Sequence, residues 1–450
     1  MIFNRLIIGY LHKWKQTVNR KPLIVRGARQ VGKTTVIKQF AKEYKNRIIL
    51  NLEKAEDRKV FERYDNVKEI IEYLFLINNI SIKDIKNTLL FIDEIQESPV
   101  AIKLLRYFYE DYSNLHVIAA GSMLEFALKN VKSFPVGRVE YMYLYPLNFL
   151  EYLEATGKTV ALEQINTIPI NKYAHSVLLE LFNNFTIIGG MPEVIASYID
   201  NNTLIELPKI YESIWSAYKD DVEKYSSSAS SRNIIRYIMQ VAPNYIDQRI
   251  KFQNFGNSNY KSREIGEAMR TLEKARIIKL IYPTTDVEIP LKANYKKSPK
   301  LQMLDTGIVN YTVGIQPEMI GVEDLNKIYK GAVIPHIINQ ELISLNMLTN
   351  KDFYFWVREK TQSSSEVDLV YQYRDKIIPV EIKSGATGTL RSLHQFINRV
   401  NHNYAVRMYA GEFNVENAKT PAGKHFKLMN VPYYLGTKLY EYIKYFIENY

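Results

Sequence analysis

Not one of the 450 residues is a cysteine, which excludes structural disulfides, thiolate zinc sites and a cysteine nucleophile. No stretch approaches the roughly 18 consecutive apolar residues of a membrane span, so no membrane contact is expected. There is no internal repeat and no long low-complexity segment. The opening stretch MIFNRLIIGYLHKWKQ has too short an apolar run for a secretory leader and no small-residue cleavage site; it reads as an amphipathic helix. The expected location is cytoplasmic. What the chain does have is an ordinary globular balance, 46% hydrophobic and 24% charged. Its 59 Lys and Arg against 48 Asp and Glu give a net charge of +11, which favours contact with polyanions. The 34 tyrosines go with a richness in Lys, Asn and Ile that genome composition alone can produce, so the charge by itself decides nothing.

A length prior of about 100 to 200 residues per domain gives roughly three domains. Short runs rich in Ile, Leu and Val occupy 22–27 (PLIVRG), 48–53, 89–94 (LLFIDE), 116–122 (HVIAAGS) and 138–147, separated by helical patterns. Strands of that kind imply a parallel sheet covered on both faces, hence an α/β class. From about 148 to 225 the pattern is helical, broken by the turn signal GGMP at 189–192. SSSASS at 226–231 reads as a linker, and the helix and strand over 262–283, with the helical stretch before them, read as a winged helix-turn-helix or as a small helical packing module. From 326 a helix, the strands FYFWVRE, EVDLVYQY and KIIPVEIKS, and a helix around SLHQFINRV follow. The expected segments are therefore 1–155, 156–228 (a helical lid), 229–325 and 326–450.

Two motifs carry chemistry in the first segment. Residues 27–34, GARQVGKT, fit G-x-x-x-x-G-K-[ST]. The glycines let backbone amides curl around the β- and γ-phosphates of a nucleotide, Lys33 adds positive charge, and the Thr34 hydroxyl ligates Mg²⁺. A strand precedes the loop and a helix follows, as a phosphate site at a helix N-terminus requires. LLFIDE delivers Asp93 to a strand end, where it can hold Mg²⁺ through water, and Glu94 beside it can polarise an attacking water. Ser122, ending the neighbouring strand, is placed to sense the γ-phosphate. Arg138 is a candidate arginine finger, acting within the chain or from a neighbouring subunit.

GARQVGKTT, LLFIDEIQ, AAGSMLEFAL, GRVEYMYLYPLNFLEYL and GGMPEV, in this order, resemble the prokaryotic AAA-type P-loop ATPases. More narrowly, they resemble those whose N-terminal P-loop domain is joined to an uncharacterised C-terminal domain with a winged-helix and nuclease-like part. The resemblance covers nearly the whole chain and implies ATP and Mg²⁺ as cofactors. Gly27, Gln30, Val31, Gly32, Lys33, Thr34, Thr35, Asp93 and Ser122 are then the nucleotide-binding set. Lys33, Glu94 and Arg138 are the catalytic residues, and Thr34 and Asp93 the metal ligands. GGMPEV departs from the ring-forming pattern by carrying no arginine.

A second constellation lies near the C-terminus. On a strand, residues two apart face the same side, so Glu381 and Lys383 of VEIKS point together. Asp368 is expected at the start of the preceding strand and Glu341 on the helix before it. Glu, then Asp, then Glu-x-Lys resembles the PD-(D/E)xK nucleases, with Gln395 a further member. The resemblance implies a restriction-endonuclease-like α/β domain with Glu341, Asp368 and Glu381 as metal ligands and Glu381 and Lys383 as the catalytic pair. Two readings stay open: an ATP-driven enzyme that cuts DNA or RNA, and an ATP-controlled module that binds nucleic acid or a protein partner without cutting.

Overall fold

In the N-terminal part each Ile/Leu/Val run forms a strand: β1 (Leu23–Arg26), β2 (Asn46–Asn51), β3 (Thr88–Asp93), β4 (His116–Gly121) and β5 (Glu140–Tyr143). The structure, a computed structural model, describes residues 2–64, 66–127, 137–221, 226, 228–319, 331–349, 351–360, 363–382 and 390–450. The five strands form one parallel sheet in the order β2-β3-β4-β1-β5. Because side chains alternate along a strand, the sheet has two faces, and both are buried. Ile24, Leu50, Leu90, Ile92 and Val117 share one core with Phe61, Ile70, Leu74, Ile102 and Phe108 of helices α3 (Ala55–Arg63), α4 (Val67–Ile77) and α5 (Pro99–Asp111), which follow α1 (Ile7–Gln16) and α2 (Lys33–Ala41). Leu23, Val25, Leu89, Phe91 and Ile118, of the opposite parity, are buried as completely. The amphipathic helix expected at the start is α1, which buries Ile7, Leu11 and Trp14.

Contacts divide the chain into two units. The first comprises Met1–Pro146, Lys274–Ile277 and Asn346–Asn350; the second comprises Leu147–Glu273, Ile278–Leu345 and Lys351–Tyr450. A short helix, α6 (Leu124–Ala127), completes the first. The second begins with helices α7 (Phe149–Ala155), α8 (Thr159–Ile165), α9 (His175–Ile188), α10 (Pro192–Asn201) and α11 (Leu207–Asp220). The Ser-rich stretch read as a linker instead starts a helix: Ser228 caps α12 (Ala229–Val241), its hydroxyl accepting from the Ser231 amide at 3.2 Å, and a serine hydroxyl satisfies an otherwise orphaned amide there. Next come α13 (Ser262–Lys274) and an antiparallel pair, β6 (Ile278–Ile281) with β8 (Lys300–Met303).

The rest of the second unit is a mixed seven-stranded sheet of order β13-β14-β12-β11-β10-β9-β7. Its strands are β7 (Pro283–Thr284), β9 (Tyr354–Lys360), β10 (Ser363–Tyr373), β11 (Lys376–Ile382), β12 (Tyr404–Tyr409), β13 (Asn414–Lys419) and β14 (His425–Pro432). β9, β10 and β11 run antiparallel, whereas β11, β12 and β14 run parallel. Five helices accompany them: α14 (Thr306–Val313), α15 (Gln316–Met319), α16 (Val333–Ser344), α17 (Arg391–Ile397) and α18 (Leu439–Asn449). No helix among the described residues is long and apolar enough to cross a membrane.

GGMP proves to be more than a turn. Gly189 has φ of +70°, and the Gly190 amide donates to Asp305 at 2.6 Å. A Cβ on Gly190 would lie 2.1 Å from the Leu147 carbonyl oxygen, backbone that cannot swing away. The Asp305 carboxyl, buried behind this contact, is pushed up to about 6 by desolvation, against the amide hydrogen bonds it accepts. Close backbone approach therefore dictates glycine here. Gly190→Ala is expected to cost roughly 1–3 kcal/mol, read as a lowered thermal midpoint. Gly9→Ala, in α1 with nothing within 4 Å of the new methyl, should raise the midpoint, because alanine is the better helix former.

Candidate functional site

The sheet order positions the first site. β4 lies between β1 and β3, and all three run the same way. Their C-terminal ends, carrying Gly27, Asp93 and Ser122, therefore open on one edge of the sheet. The loop after β1 enters α2 through Gln30 at φ +60° and Gly32 at φ +93°, left-handed turns that curl the backbone back on itself. Gly27 has no room for a side chain: a Cβ would meet the Leu144 carbonyl oxygen at 2.3 Å. Arg5, upstream of α1, fixes the loop from outside by donating to the carbonyls of Val31 (3.1 Å) and Tyr145 (2.7 Å). No side chain caps α2, so the amides of its first turn face the loop.

Within that loop the Lys33 ammonium is buried and donates to the carbonyls of Gly27 (3.1 Å) and Ala28 (2.7 Å). Burial pushes it down to about 8; Glu94 and Asp93 oppose the shift, and the positive charges of Arg29 and Arg276 add to it. The Thr34 hydroxyl donates to Asp93 Oδ2 at 2.8 Å, which ties the loop to the end of β3. Desolvation raises the Asp93 carboxyl above its ordinary range, partly offset by that hydrogen bond. Glu94 sits at φ +51°, a strained conformation for a residue with a side chain, costing of order 1 kcal/mol. Gln96 Nε2 donates to Glu94 Oε2 at 2.6 Å. Gly121 makes this possible, since a Cβ there would lie 2.3 Å from Gln96 Oε1. The Ser122 hydroxyl oxygen is buried on the same edge with no hydrogen-bond partner.

Arg138 stands apart from this cluster: its guanidinium pairs with Glu110 of α5 at 2.8 Å, and 44% of its side chain is exposed. Sequence reasoning passed over Arg5, Gln96, and the group Arg26, Glu125 and Arg276. Arg26 donates to Glu125 Oε1 at 2.6 Å, and Arg276 lies 3.9 Å from the same oxygen. The one available signal was the glutamine that follows the acidic pair in IDEIQ.

The C-terminal constellation is assembled differently from expectation. Asp368 lies within β10 rather than at its start, at a bulge between Val367 and Val370. A bulge re-aims the side chain it carries. Here Asp368 Oδ2 accepts from the Ile382 amide at 2.8 Å and Oδ1 lies 3.4 Å from the Lys300 ammonium. Lys300, buried on β8, also meets Glu366 at 3.0 Å and Asp247 at 3.1 Å. Those carboxylates hold its ammonium well above the usual lysine range against desolvation, while burial pushes Asp247 up to about 7. One built-in cation thus faces three acids and offsets one unit of their charge, and removing the buried ammonium costs several kcal/mol.

Glu341 is not a member of this group. It is fully buried on α16 and both its oxygens accept from the Phe149 amide, at 3.1 and 3.0 Å; desolvation keeps its carboxyl well above the ordinary range. Glu381 is buried on β11, in register with Arg407 of β12. Among the described residues no three His, Asp or Glu side chains are grouped to hold a metal ion, so Glu341, Asp368 and Glu381 do not form the expected ligand set. The physical reason is that an amide and an ammonium already occupy the oxygens of the first two. Gln395 accepts from Arg358 at 2.7 Å. Lys383 lies outside the described residues.

Residues 19–153 match the family described as AAA domain, residues 179–319 a domain of unknown function (DUF8612), and residues 330–434 another (DUF4143). The chain thus carries an AAA-type P-loop ATPase domain joined to two domains without an assigned role. No curated protein matches. Among solved structures, the Walker-type ATPase PABY2304 of Pyrococcus abyssi is similar at 14% identity and a TM-score of 0.44, over 69% of this chain and 96% of that one. The RuvB Holliday junction branch migration motor of Thermotoga maritima is similar at 13% and 0.26, over 65% and 93%. The ORC1 protein of Aeropyrum pernix, in complex with DNA, is similar at 12% and 0.25, over 69% and 91%.

Because burial holds Lys33 near 8, its ammonium is largely neutral at about pH 9 and mostly charged near pH 7.5. A bound polyphosphate restores the charge, so nucleotide binding takes up a proton at the higher pH. Titration calorimetry in buffers of different ionisation enthalpy should show uptake several-fold larger at about pH 9 than near pH 7.5. Equal uptake at both would refute the assignment.

Proposed function

We propose that the chain binds ATP with Mg²⁺ at the loop of residues 27–35 and hydrolyses it. The observation that carries this reading is the 2.8 Å hydrogen bond from Thr34 to Asp93, which brings a hydroxyl and a carboxylate from two separate motifs to one point beside a buried lysine. The residues fit the group. The Ser122 hydroxyl is buried and without a partner, and Asp93 is desolvated, which a cation would relieve. When bound, Mg²⁺ supplies neutralisation of the phosphate charge; Thr34 and Asp93 are the residues that would hold it.

The chain's own residues do the rest. Lys33 exchanges the carbonyls of Gly27 and Ala28 for phosphate oxygens, while the amides of Gln30, Val31, Gly32 and Thr35 enclose the polyphosphate. Glu94 accepts a hydrogen bond from the attacking water, with Gln96 fixing its other oxygen. Ser122 donates toward the terminal phosphate. Arg138, now paired with Glu110 at 2.8 Å, serves as a finger only after leaving that exposed partner, a pair of small energetic worth. Lys33→Ala is expected to abolish nucleotide binding, and Glu94→Gln to bind ATP like wild type while phosphate release falls by about 10² or more. Wild-type release by Glu94→Gln would contradict the role given to it.

The second unit, in this reading, is an ATP-controlled binding module rather than a cutting one. The support is Lys300, an ammonium among Asp247, Glu366 and Asp368, together with the commitment of Glu341 to a backbone amide. Cutting by Glu381 and Lys383 with a metal on Glu341, Asp368 and Glu381 would need this arrangement undone. A nucleic-acid partner would show itself by an affinity that falls with salt as phosphate contacts release counterions, and a protein partner by one that does not follow that law. Plasmid, linear DNA and RNA incubated with the protein, ATP, and Mg²⁺ or Mn²⁺ should stay intact. Cleavage that Glu381→Ala abolishes would restore the nuclease reading.

A further inference from the structure

We infer that a cavity of about 640 Å³ at one end of the seven-stranded sheet takes a phosphorylated nucleoside, free or as one unit of a single-stranded nucleic acid, with its base on tyrosine and its phosphate on Lys427 and Lys376. The inference rests on the reading of the second unit as a binding module and is independent of the ATP site. The cavity lies at the starts of β11, β12 and β14 and the end of β13. That is the opposite end of β11 from Glu381, so it shares no residue with the acidic constellation.

Strand alternation builds it. Ile377, Ala405, Phe426 and Leu428 bury one face of the sheet in a core with Leu393 and Phe396 of α17, and Ala418 packs against that core. Their neighbours Lys376, Tyr404, Lys427 and Asn417 therefore stand on the other face, where Tyr404 meets Phe446 of α18 edge-on at 5.2 Å. Lys427 is in register with Tyr404 of β12 on one side and with Asn417 of β13 on the other. A ring, an ammonium and an amide thus form one row across three adjacent strands, each about 4.8 Å from the next. Tyr450, 44% exposed, brings a second ring whose centroid is 5.7 Å from the Lys427 ammonium. The rim is fixed in advance. The Lys427 amide donates to the Asn403 carbonyl at 2.7 Å, His402 Nε2 donates to the Ile377 carbonyl at 2.8 Å, and His402 Nδ1 accepts from the Tyr404 amide at 3.3 Å.

The acids nearby do not cancel Lys427. Asp375 pairs with Lys376 at 2.9 Å but is 72% exposed, a contact of small worth in water. Glu448 of α18 is held by Arg374 at 2.9 Å, and Glu416 of β13 alternates to the other face, 3.8 Å from Arg407. Burial holds the His402 ring below its usual range; the Ile377 carbonyl opposes this, and positive charge from Lys424 and Lys376 adds to it. The volume is that of a small-molecule site. An aromatic face takes a base whatever its identity, and an ammonium takes a phosphate. The side-chain amides of Asn401, Asn403 and Asn417, which line the same cavity, each offer a donor and an acceptor to a base edge. An acidic peptide would use the cations and leave the rings and amides idle.

The test is fluorescence anisotropy of a labelled single-stranded oligothymidylate titrated with the full-length protein, without ATP, at a series of salt concentrations. Lys427→Gln should weaken binding about tenfold and make the slope of log affinity against log salt shallower by about 0.7, the counterions of one phosphate. Lys427→Arg should restore both. Tyr450→Ala should weaken binding about fivefold or more and leave the slope unchanged, whereas Lys444→Gln, an exposed lysine of α18 outside the cavity, should do neither. Thymidine monophosphate is titrated in parallel by calorimetry into Lys33→Ala protein, so that the loop of the first unit does not contribute. Binding of the monophosphate that Lys427→Gln weakens assigns the cavity to free nucleotides, and such binding of the oligonucleotide alone assigns it to the polymer. Wild-type affinity and slope in Lys427→Gln and Tyr450→Ala, with the fold verified by circular dichroism, overturn the inference and leave the binding to another surface of the second unit. Failure to bind either ligand also overturns it, and leaves a protein as that unit's partner.

Discussion

A parallel sheet in which β4 separates β1 from β3 is the constraint on which the rest depends. It brings a loop rich in amides, a strand ending in two acids and a strand ending in serine to one edge, although the three lie about sixty and thirty residues apart in sequence. The separation is what gives Thr34 a carboxylate to meet. The same order sets Tyr143 level with Arg26 and Gly121, so the aromatic and cationic rim of the site also follows from it. Burial on both faces keeps the strand ends fixed, since moving any one of them would open a core of close-packed Ile, Leu and Phe.

Charge is the second organising element, and the two units handle it in opposite ways. In the first, Lys33 is buried with carbonyls as its hydrogen-bond partners, and the nearby charges of Asp93 and Glu94 oppose the fall in its pKa that burial causes. In the proposed reading, phosphate oxygens take the place of the two carbonyls that the ammonium now meets. In the second, Lys300 is itself almost fully buried and is surrounded by three carboxylates of the same chain. A group of acids whose cation is part of the chain is built for holding a structure together. The same residue types thus mean a site in one place and a strut in the other.

Much of the first unit was legible in sequence, because its strands are short apolar runs and its motifs are local. Gly27 to Thr34 are contiguous, and Asp93 follows four apolar residues that bury themselves whatever the rest of the chain does. The C-terminal residues were legible as types but not as neighbours. Nothing near Asp368 announces a bulge, and nothing in SPKLQM shows that Lys300 reaches it from 68 positions away. Glu341 looked like a ligand because its helix precedes the right strands, but its partner is an amide 192 positions upstream. SSSASS looked like a linker because serine is common in both linkers and helix caps, and only the following register of apolar residues in α12 decides between them.

The most direct measurement is phosphorus NMR of ATP incubated with the purified wild-type protein, with Mg²⁺ present and then removed by a chelator. The account predicts steady conversion of ATP to ADP and inorganic phosphate that stops on chelation. Unchanged ATP in the presence of folded protein and Mg²⁺, or conversion that continues undiminished after chelation, would contradict it.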